Sequence, residues 1–285
     1  MTCRVDFHTH SKASDGRLSP SELVERARDN DVHFLALTDH DTTAGIAEAR
    51  AAALKTGLNL IAGVELSVTW ENQCLHIVGL DIDPQQETLA HGLESLRNLR
   101  DSRAREMGRR LEKKGITGAY QGASRLAGAG MITRTHFARY LVDQHHCQTI
   151  QKGFDQYLSQ GKPGYVQTPW VDLEKGVEWI QAAGGTAVLA HPKRYKMTAT
   201  RMRKLLAAYR EAGGLAIEVV CGNSNRDDIC DSAVYAREFG LRGSVGSDFH
   251  SPDTPWVDIG RLKPFPDHVE PVWKKLGIEL NSAVT

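Results

Sequence analysis

Short apolar runs alternate along this chain with stretches whose apolar positions recur every three or four residues. The runs are CRVDF (3–7), HFLAL (33–37), NLIAGVEL (59–66), LHIVGL (75–80), TAVLAH (186–191), LAIEVV (215–220) and GSVGSDFH (243–250). Most are nearly uninterrupted by polar residues, the pattern of strands covered on both faces. Between the first two, SPSELVERARDN (19–30) carries the signs of a helix start: Ser19 as N-cap, Pro20 at the first helical position and Glu22 closing a capping box. TAGIAEARAAALKTG (43–57) is a second helix, stopped at Gly57. Helical segments also precede the last three runs. This alternation predicts an α/β protein with a parallel sheet of about seven strands, and a sheet closing on itself as a barrel suits it.

The rhythm breaks between about residues 84 and 165. ETLAHGLESLRNLRDSRAREMGRRLEKKG (87–115) reads as one long helix, followed by shorter helical patterns around 134–144 and 148–159. Residues 97–165 are therefore expected to be a helical insertion, with 1–96 and 166–285 forming the main domain.

Length and composition fit this outline. The chain has 285 residues, 41% of them hydrophobic, enough for a sizeable core. Five scattered cysteines, Cys3, Cys74, Cys147, Cys221 and Cys230, contain no C-x-x-C pair. That argues against a disulfide framework or thiolate zinc site and for a reducing, cytoplasmic setting. No apolar run approaches the roughly 18 residues of a membrane span, and the first residues read as a strand rather than a leader. Lys plus Arg and Asp plus Glu both number 35, so net charge alone indicates no polyanionic partner. Its distribution does. Residues 97–165 hold 13 Lys/Arg against 5 Asp/Glu, net +8, and the remainder 22 against 30, net −8. A basic insertion would draw a phosphorylated or nucleic-acid substrate toward the site, although long exposed helices are often Arg-rich for solubility alone.

The unusual polar residues cluster where the apolar runs end. His8 and His10 close the first strand, and their i, i+2 spacing points both imidazoles to one side. Asp15 follows five residues after His10. Asp39, His40 and Asp41 close the second strand, Glu65 the third, His191 the fifth, and Asp248 and His250 the last; His76 lies early in the fourth. In β/α barrels the C-terminal strand ends form the catalytic face. Imidazole and carboxylate without thiolate suit a catalytic Mn, Fe or Zn site. His8, His10, Asp15, His40, Glu65, His76, His191, Asp248 and His250 are more donors than one ion with open positions can use, so two or three divalent ions are expected. Such ions lower the pKa of bound water and clamp the attacking and leaving oxygens of a displacement at phosphorus. No serine or cysteine with a partner base is evident, which leaves metal-bound hydroxide as the expected nucleophile. His33, His91, His145, His146 and His268 lie on no strand end and take ordinary core or surface readings.

The motifs DFHTHSKASDG, LALTDHD, GVELS, LAHP and GSDFH, in this order from residue 5 to about 250, resemble those of the polymerase-and-histidinol-phosphatase (PHP) superfamily. The resemblance implies a distorted (β/α)7 barrel with a trinuclear metal centre. HIVGLDID, MITRTHFARYLV, YLSQGKPGYV and SDFHSPDTPWVDIGR resemble its branch of bacterial 3′,5′-nucleoside bisphosphate phosphatases and 5′-to-3′ exoribonucleases. It implies that His8, His10, Glu65 and Asp248 hold one ion, Asp15, His40 and His250 a second, and Glu65, His76 and His191 a third, manganese being the usual metal. It also implies a substrate stretch at Arg134, Thr135 and His136 and another at Arg100 and Arg103. Guanidinium groups there would bind a 5′-phosphate bidentately. Lys12, Arg17 and Arg194 lie beside ligand motifs, within reach of a reacting phosphate, though Arg194 reads equally well as a surface residue after Pro192. Trp70, Trp170 and Tyr165 can stack on a base but are expected in the core. Cys221 receives no role. The expected substrate is a nucleoside 3′,5′-bisphosphate or a short 5′-phosphorylated RNA, with no membrane and no obligate protein partner. The alternatives are a small-molecule phosphatase of histidinol-phosphate type and a non-catalytic RNA-binding module.

Overall fold

A computed structural model describes residues 3–280. In chain order the elements are β1 (Arg4–Asp6), α1 (Pro20–Asp29), β2 (Val32–Leu37), α2 (Ile46–Thr56), β3 (Asn59–Trp70), β4 (Gln73–Leu80), α3 (Glu87–Glu112), α4 (Ala119–Ala127), α5 (Arg134–Asp143) and α6 (Ile150–Gly153). A π-helical turn (Phe154–Leu158) follows, then β5 (Val171–Asp172), α7 (Leu173–Ala182), β6 (Thr186–Leu189), α8 (Ala199–Glu211), β7 (Ala216–Cys221), α9 (Arg226–Glu238) and β8 (Arg242–Gly246). The α1 cap forms as expected: Glu22 N donates to Ser19 Oγ at 3.2 Å, and Ser19 N donates to Glu22 Oε2 at 2.6 Å. Gly57 ends α2 in the left-handed region, at φ 74°.

The strands lie in the order β1-β2-β3-β4-β6-β7-β8, with the two-residue β5 beside β3. The two ends of this path meet. Phe7 N donates to Val245 O at 3.2 Å, and Thr9 bridges Phe249 in parallel. The sheet is not wholly parallel, contrary to the alternation in the sequence: β4 runs antiparallel to both β3 and β6. The reason is the connection. Only Glu71 and Asn72 separate β3 from β4, both with positive φ, 44° and 63°. Two such residues make a tight hairpin, whereas a parallel crossover needs about a dozen or more.

After β4 the chain is back at the base of the sheet, where Asp83 N donates to Ala183 O at 2.8 Å. From there α3 runs 26 residues, about 39 Å at 1.5 Å per residue. Its first half packs Leu89, Leu93 and Leu96 into the main core. Its second half packs Ala104, Met107 and Leu111 into a separate apolar cluster with Ala119, Ala123, Phe137, Leu141 and Leu158. α4 is an element the hydrophobic pattern did not reveal, and the 148–159 pattern divides into α6 and the π-helical turn.

Candidate metal centre

The C-terminal ends of the parallel strands form one rim, and the inverted β4 brings its beginning to that same rim. Ser67 pairs with His76, and Ala190 N donates to His76 O at 3.1 Å. His76 thus sits early in its strand because that strand points the other way. All nine sequence-nominated donors converge on the cup inside the rim. His8 Nε2 and His10 Nε2 are 3.1 Å apart. Asp248 Oδ1 lies 3.1 Å from His10 Nε2 and 3.4 Å from His8 Nε2. Glu65 is the hub: Oε1 is 2.9 Å from His76 Nδ1 and 3.0 Å from His191 Nε2, and Oε2 is 2.7 Å from His40 Nδ1. His250 Nε2 lies 3.3 Å from Asp15 Oδ1.

Three overlapping groups have donor atoms within 4.8 Å of one another: His8, His10 and Glu65; His10, Asp15, His40 and His250; and His40, Glu65 and His76. The donor set suits cations in a further respect. Buried His10 Nδ1, His40 Nδ1, His191 Nδ1 and Glu65 Oε2 make no hydrogen bond, and the 2.7 Å approach of His40 to Glu65 is not aligned as one. Buried polar atoms are ordinarily satisfied, so unpartnered atoms on the residues of the cup fit a donor set left open for cations. Strained backbone supports the arrangement: Asp41, His191 and Asp248 all have positive φ, at 48°, 31° and 53°.

Electrostatics bind the cup together. Burial pushes the Glu65 carboxyl up, but His40, His76 and His8 hold it well below the usual carboxylate range. Asp248 is likewise held low against burial by Arg194, His250 and His8. Burial pulls His40 down to about 4. At His76 burial is outweighed by Glu65 and by the Cys74 side chain, which raise it to about 10.

A supporting shell lies behind the donors, and its central member escaped the sequence reading. Glu218, buried within β7, accepts from His8 Nδ1 at 2.7 Å, from His191 N at 2.5 Å and from Cys221 Sγ at 3.3 Å. With Nδ1 donating, His8 turns its Nε2 lone pair into the cup. This also places Cys221, as a buried partner of Glu218. Asp39 accepts from Ser11 Oγ and Ser14 Oγ, each at 2.6 Å, pinning the loop that carries Asp15. A carboxylate inside the apolar run LAIEVV was the available signal, because a buried charge needs a partner.

Beside the His40, Asp15 and His76 edge opens a small cleft of about 70 Å³. Arg100, Arg103, Arg134 and Thr135 line it, with Cys74, Phe154 and Trp170. Arg103 and Arg100 both lie over the Trp170 ring, and Arg134 lies over Phe154. Burial and the charges of Arg134 and Arg100 lower Arg103 to about 9, so it stays cationic at neutral pH. Arg100 is more committed: its Nε donates to Asp41 Oδ2 at 2.6 Å and its Nη2 to Ser67 Oγ at 2.8 Å. Thr135 Oγ1 donates to Asp15 Oδ2 at 3.0 Å. His136 Nδ1 accepts from Thr133 N at 3.1 Å, and burial lowers its pKa to about 4, leaving a neutral ring with an Nε2 donor. Trp170 is buried yet lines the cleft, whereas Trp70 lies in the core under Arg201. The remaining nominated cations differ. Arg194 pairs with Asp248 at the cup, but Lys12 pairs with Glu22 and Arg17 with Asp253 on the exposed side.

Cup, barrel rim and cationic cleft describe a metallo-phosphoesterase, and residues 6–221 match the PHP domain family, to which this chain belongs. The chain is 46% identical, over 95% of its length and 96% of the relative's, to the 3′,5′-nucleoside bisphosphate phosphatase of Chromobacterium violaceum. It is also 46% identical to the 5′-3′ exoribonuclease of Haemophilus influenzae, over 96% of this chain and all of that one. A solved Chromobacterium violaceum structure, described as an amidohydrolase with bound sulfate and no metal, superposes with a TM-score of 0.93 at 46% identity, covering 96% of both chains.

Proposed function

We propose that this protein is a metal-dependent phosphoesterase that breaks the bond between phosphorus and a ribose 3′-oxygen in 5′-phosphorylated nucleotides. A nucleoside 3′,5′-bisphosphate would yield the 5′-monophosphate and phosphate, and a short RNA would yield 5′-nucleotides. The observation that carries this reading is the Arg103–Arg134 cleft opening directly onto the donor cup at Asp15, His40 and His76. An anion anchored in the cleft sets a second phosphate over the cup. The names of the two curated relatives describe these two substrates.

His8, His10, Glu65 and Asp248 would hold one divalent ion, Asp15, His40 and His250 a second, and Glu65, His76 and His191 a third. Manganese is the ion that the family resemblance favours, and a donor set of imidazole and carboxylate without thiolate suits iron or zinc as well. When bound, such ions supply charge neutralisation at phosphorus and an acidified water. The rest belongs to the chain. Arg103 and Arg134 bind the 5′-phosphate through paired N–H groups. Arg100 fixes the cleft floor through Asp41 and Ser67, and Thr135 orients Asp15. His136 donates from Nε2. Arg194, against Asp248, adds positive charge beside the reacting phosphate. Residues 97–165 act as a substrate-reading lid on the barrel formed by 1–96 and 166–285. Scattered cysteines without a C-x-x-C pair fit a cytoplasmic setting, and no helix among the described residues is long and apolar enough to cross a membrane.

The test compares adenosine 3′,5′-bisphosphate, a 5′-phosphorylated oligoribonucleotide and histidinol phosphate on the manganese-loaded protein. Release of phosphate or 5′-nucleotides from the first two, at least about tenfold faster in kcat/KM than from the third, is expected, the margin that one lost charged anchor contributes. Preference for histidinol phosphate, or RNA binding without any turnover, overturns it.

A further inference from the structure

His76 and His191 stand together at the cup although they come from strands of opposite direction. His76 lies near the start of β4, and His191 follows β6 by two residues. Glu65 Oε1 lies 2.9 Å from His76 Nδ1 and 3.0 Å from His191 Nε2. The two rings meet edge to face, with centroids 5.3 Å apart. Two imidazoles that share one carboxylate oxygen must have their backbones held in fixed relation, and the strand ladder stops just short of doing so.

The β4–β6 register runs Leu80↔Thr186, Gly79↔Ala187, Val78↔Val188 and Ile77↔Leu189. One step further brings His76 opposite Ala190. Residues facing each other in a hydrogen-bonded antiparallel pair exchange two N–H···O bonds. The first is made: Ala190 N donates to His76 O at 3.1 Å. In place of the second, His76 N donates to the Tyr195 hydroxyl at 2.9 Å. The chain leaves the ladder here because His191 takes the left-handed region, at φ 31° and ψ 57°, with its N donating to Glu218 Oε2. A single 3-10 turn, Pro192–Arg194, then returns Tyr195 to the rim. Arg194 N donates to His191 O at 2.9 Å and Tyr195 N to Pro192 O at 3.3 Å, which sets the turn. The Tyr195 ring stands edge-on to the His191 ring, with centroids 5.5 Å apart at 63°. One side chain therefore touches both histidines, the main chain of His76 through its hydroxyl and the imidazole of His191 through its ring.

We infer that Tyr195 is a positioning residue for the ion that Glu65, His76 and His191 would hold: its hydroxyl takes the place of the ladder acceptor for His76, and its ring braces His191. A phenylalanine would keep the ring contact and lose the hydrogen bond, leaving His76 N without this acceptor and the start of β4 free to shift. The inference rests on the metal-centre reading above and adds to it a residue outside the nine donors.

The experiment titrates manganese into metal-stripped parent protein, Tyr195→Phe and Tyr195→Leu by calorimetry, then measures kinetics on adenosine 3′,5′-bisphosphate. Tyr195→Phe is expected to bind one ion equivalent about tenfold more weakly and the others within about twofold, the lower end of what partners of metal ligands contribute. Tyr195→Leu, which loses the ring as well, should weaken that equivalent about a hundredfold. At limiting manganese kcat should fall in both variants. In Tyr195→Phe it should return at saturating manganese, with KM within about twofold of the parent, because the arginines of the cleft are untouched. A purely structural role would lower the melting temperatures of the metal-free and loaded proteins alike and leave the titration unmoved. An unchanged titration in Tyr195→Phe, or an equal loss at every ion equivalent, overturns the inference. If Tyr195→Phe does not fold, amide hydrogen exchange in the parent decides: the His76 N–H is expected to be protected, and exchange as fast as in an unstructured chain overturns the inference. If the parent binds manganese but hydrolyses neither the bisphosphate nor RNA, the phosphoesterase reading falls and Tyr195 stands or falls on the titration. If it binds no divalent ion, both fall.

Discussion

Glu218 shows how much one side chain behind a cluster of candidate metal donors can carry. Its two carboxylate oxygens serve the His8 ring, the His191 backbone and the Cys221 thiol at once. Burial raises its pKa, but His8 and His191 bring it below the ordinary value, so it is charged where it works. Removing the carboxylate frees the His8 ring to rotate and leaves His191 N unsatisfied. Glu218→Ala is expected to weaken metal affinity about 10–100-fold, measured by metal titration of the folded protein. Glu218→Gln, which keeps an acceptor, should lose less. Full affinity in Glu218→Ala would show that the ring is fixed by other contacts. Eight of the nine donors were readable because each interrupts or ends an apolar run with a group that a core does not want; Asp15, on the polar loop after His10, stood out only through the motif around it. Glu218 was hidden by the opposite circumstance: it sits inside such a run, where neighbouring Val and Ile mask it. The cationic residues were only partly readable. Arg194 lies against Asp248 at the cup, whereas Lys12 and Arg17 pair with exposed Glu22 and Asp253, a difference that sequence proximity to a ligand does not show.

Among the elements, the seam between β8 and β1 holds the two ends of the sheet together, and Gly246 makes it possible. A Cβ built at Gly246 would lie 2.3 Å from His8 Cβ and 3.0 Å from both His8 N and Glu218 Oε1. Gly246→Ala is therefore expected to destabilise the fold by about 1–3 kcal/mol, as overpacking does. A chemical-denaturation curve would measure this, and it should be accompanied by weaker metal retention, because the displaced atoms belong to His8. A variant as stable as the parent would mean that the seam can open without cost. Helix ends were legible wherever capping chemistry was explicit, as at Ser19–Glu22 and Gly57. The β3–β4 hairpin was not. Glu-Asn lacks the glycine that usually advertises a two-residue turn, and the apolar runs on either side look the same whichever way a strand points. The segment AYQGASRLA of α4 was missed because Gly122 and Ser124 dilute its helical pattern, although Gly122 is required where Tyr140 packs against it.

For the molecule as a whole, metal binding and folding are expected to be coupled. The nine donors come from segments 240 residues apart and meet only in the closed ring, so ions that hold them also hold the ring closed. Prolonged treatment with a strong chelator is expected to abolish turnover and lower the melting temperature, with both restored by added divalent ion. Retained activity in the chelated protein would contradict the metal centre. The broad plan, a ring of strands with polar ends and a run of helices across the middle of the chain, could be read from patterning. The height of the insertion could not, because it follows from the direction of β4. In an ordinary β/α unit the helix descends from the rim to the base. Here the reversed strand delivers the chain to the base first, so α3 climbs, and Arg100 and Arg103 ride on its upper half. The helix is thus a lever with its foot among the core leucines and its arm over the cup. A small tilt at the foot, of a kind that loosened packing around Leu89 or Leu93 would permit, would become a larger sideways swing at the proposed anion cleft, so a grip formed there would depend in part on packing some 20 Å below it.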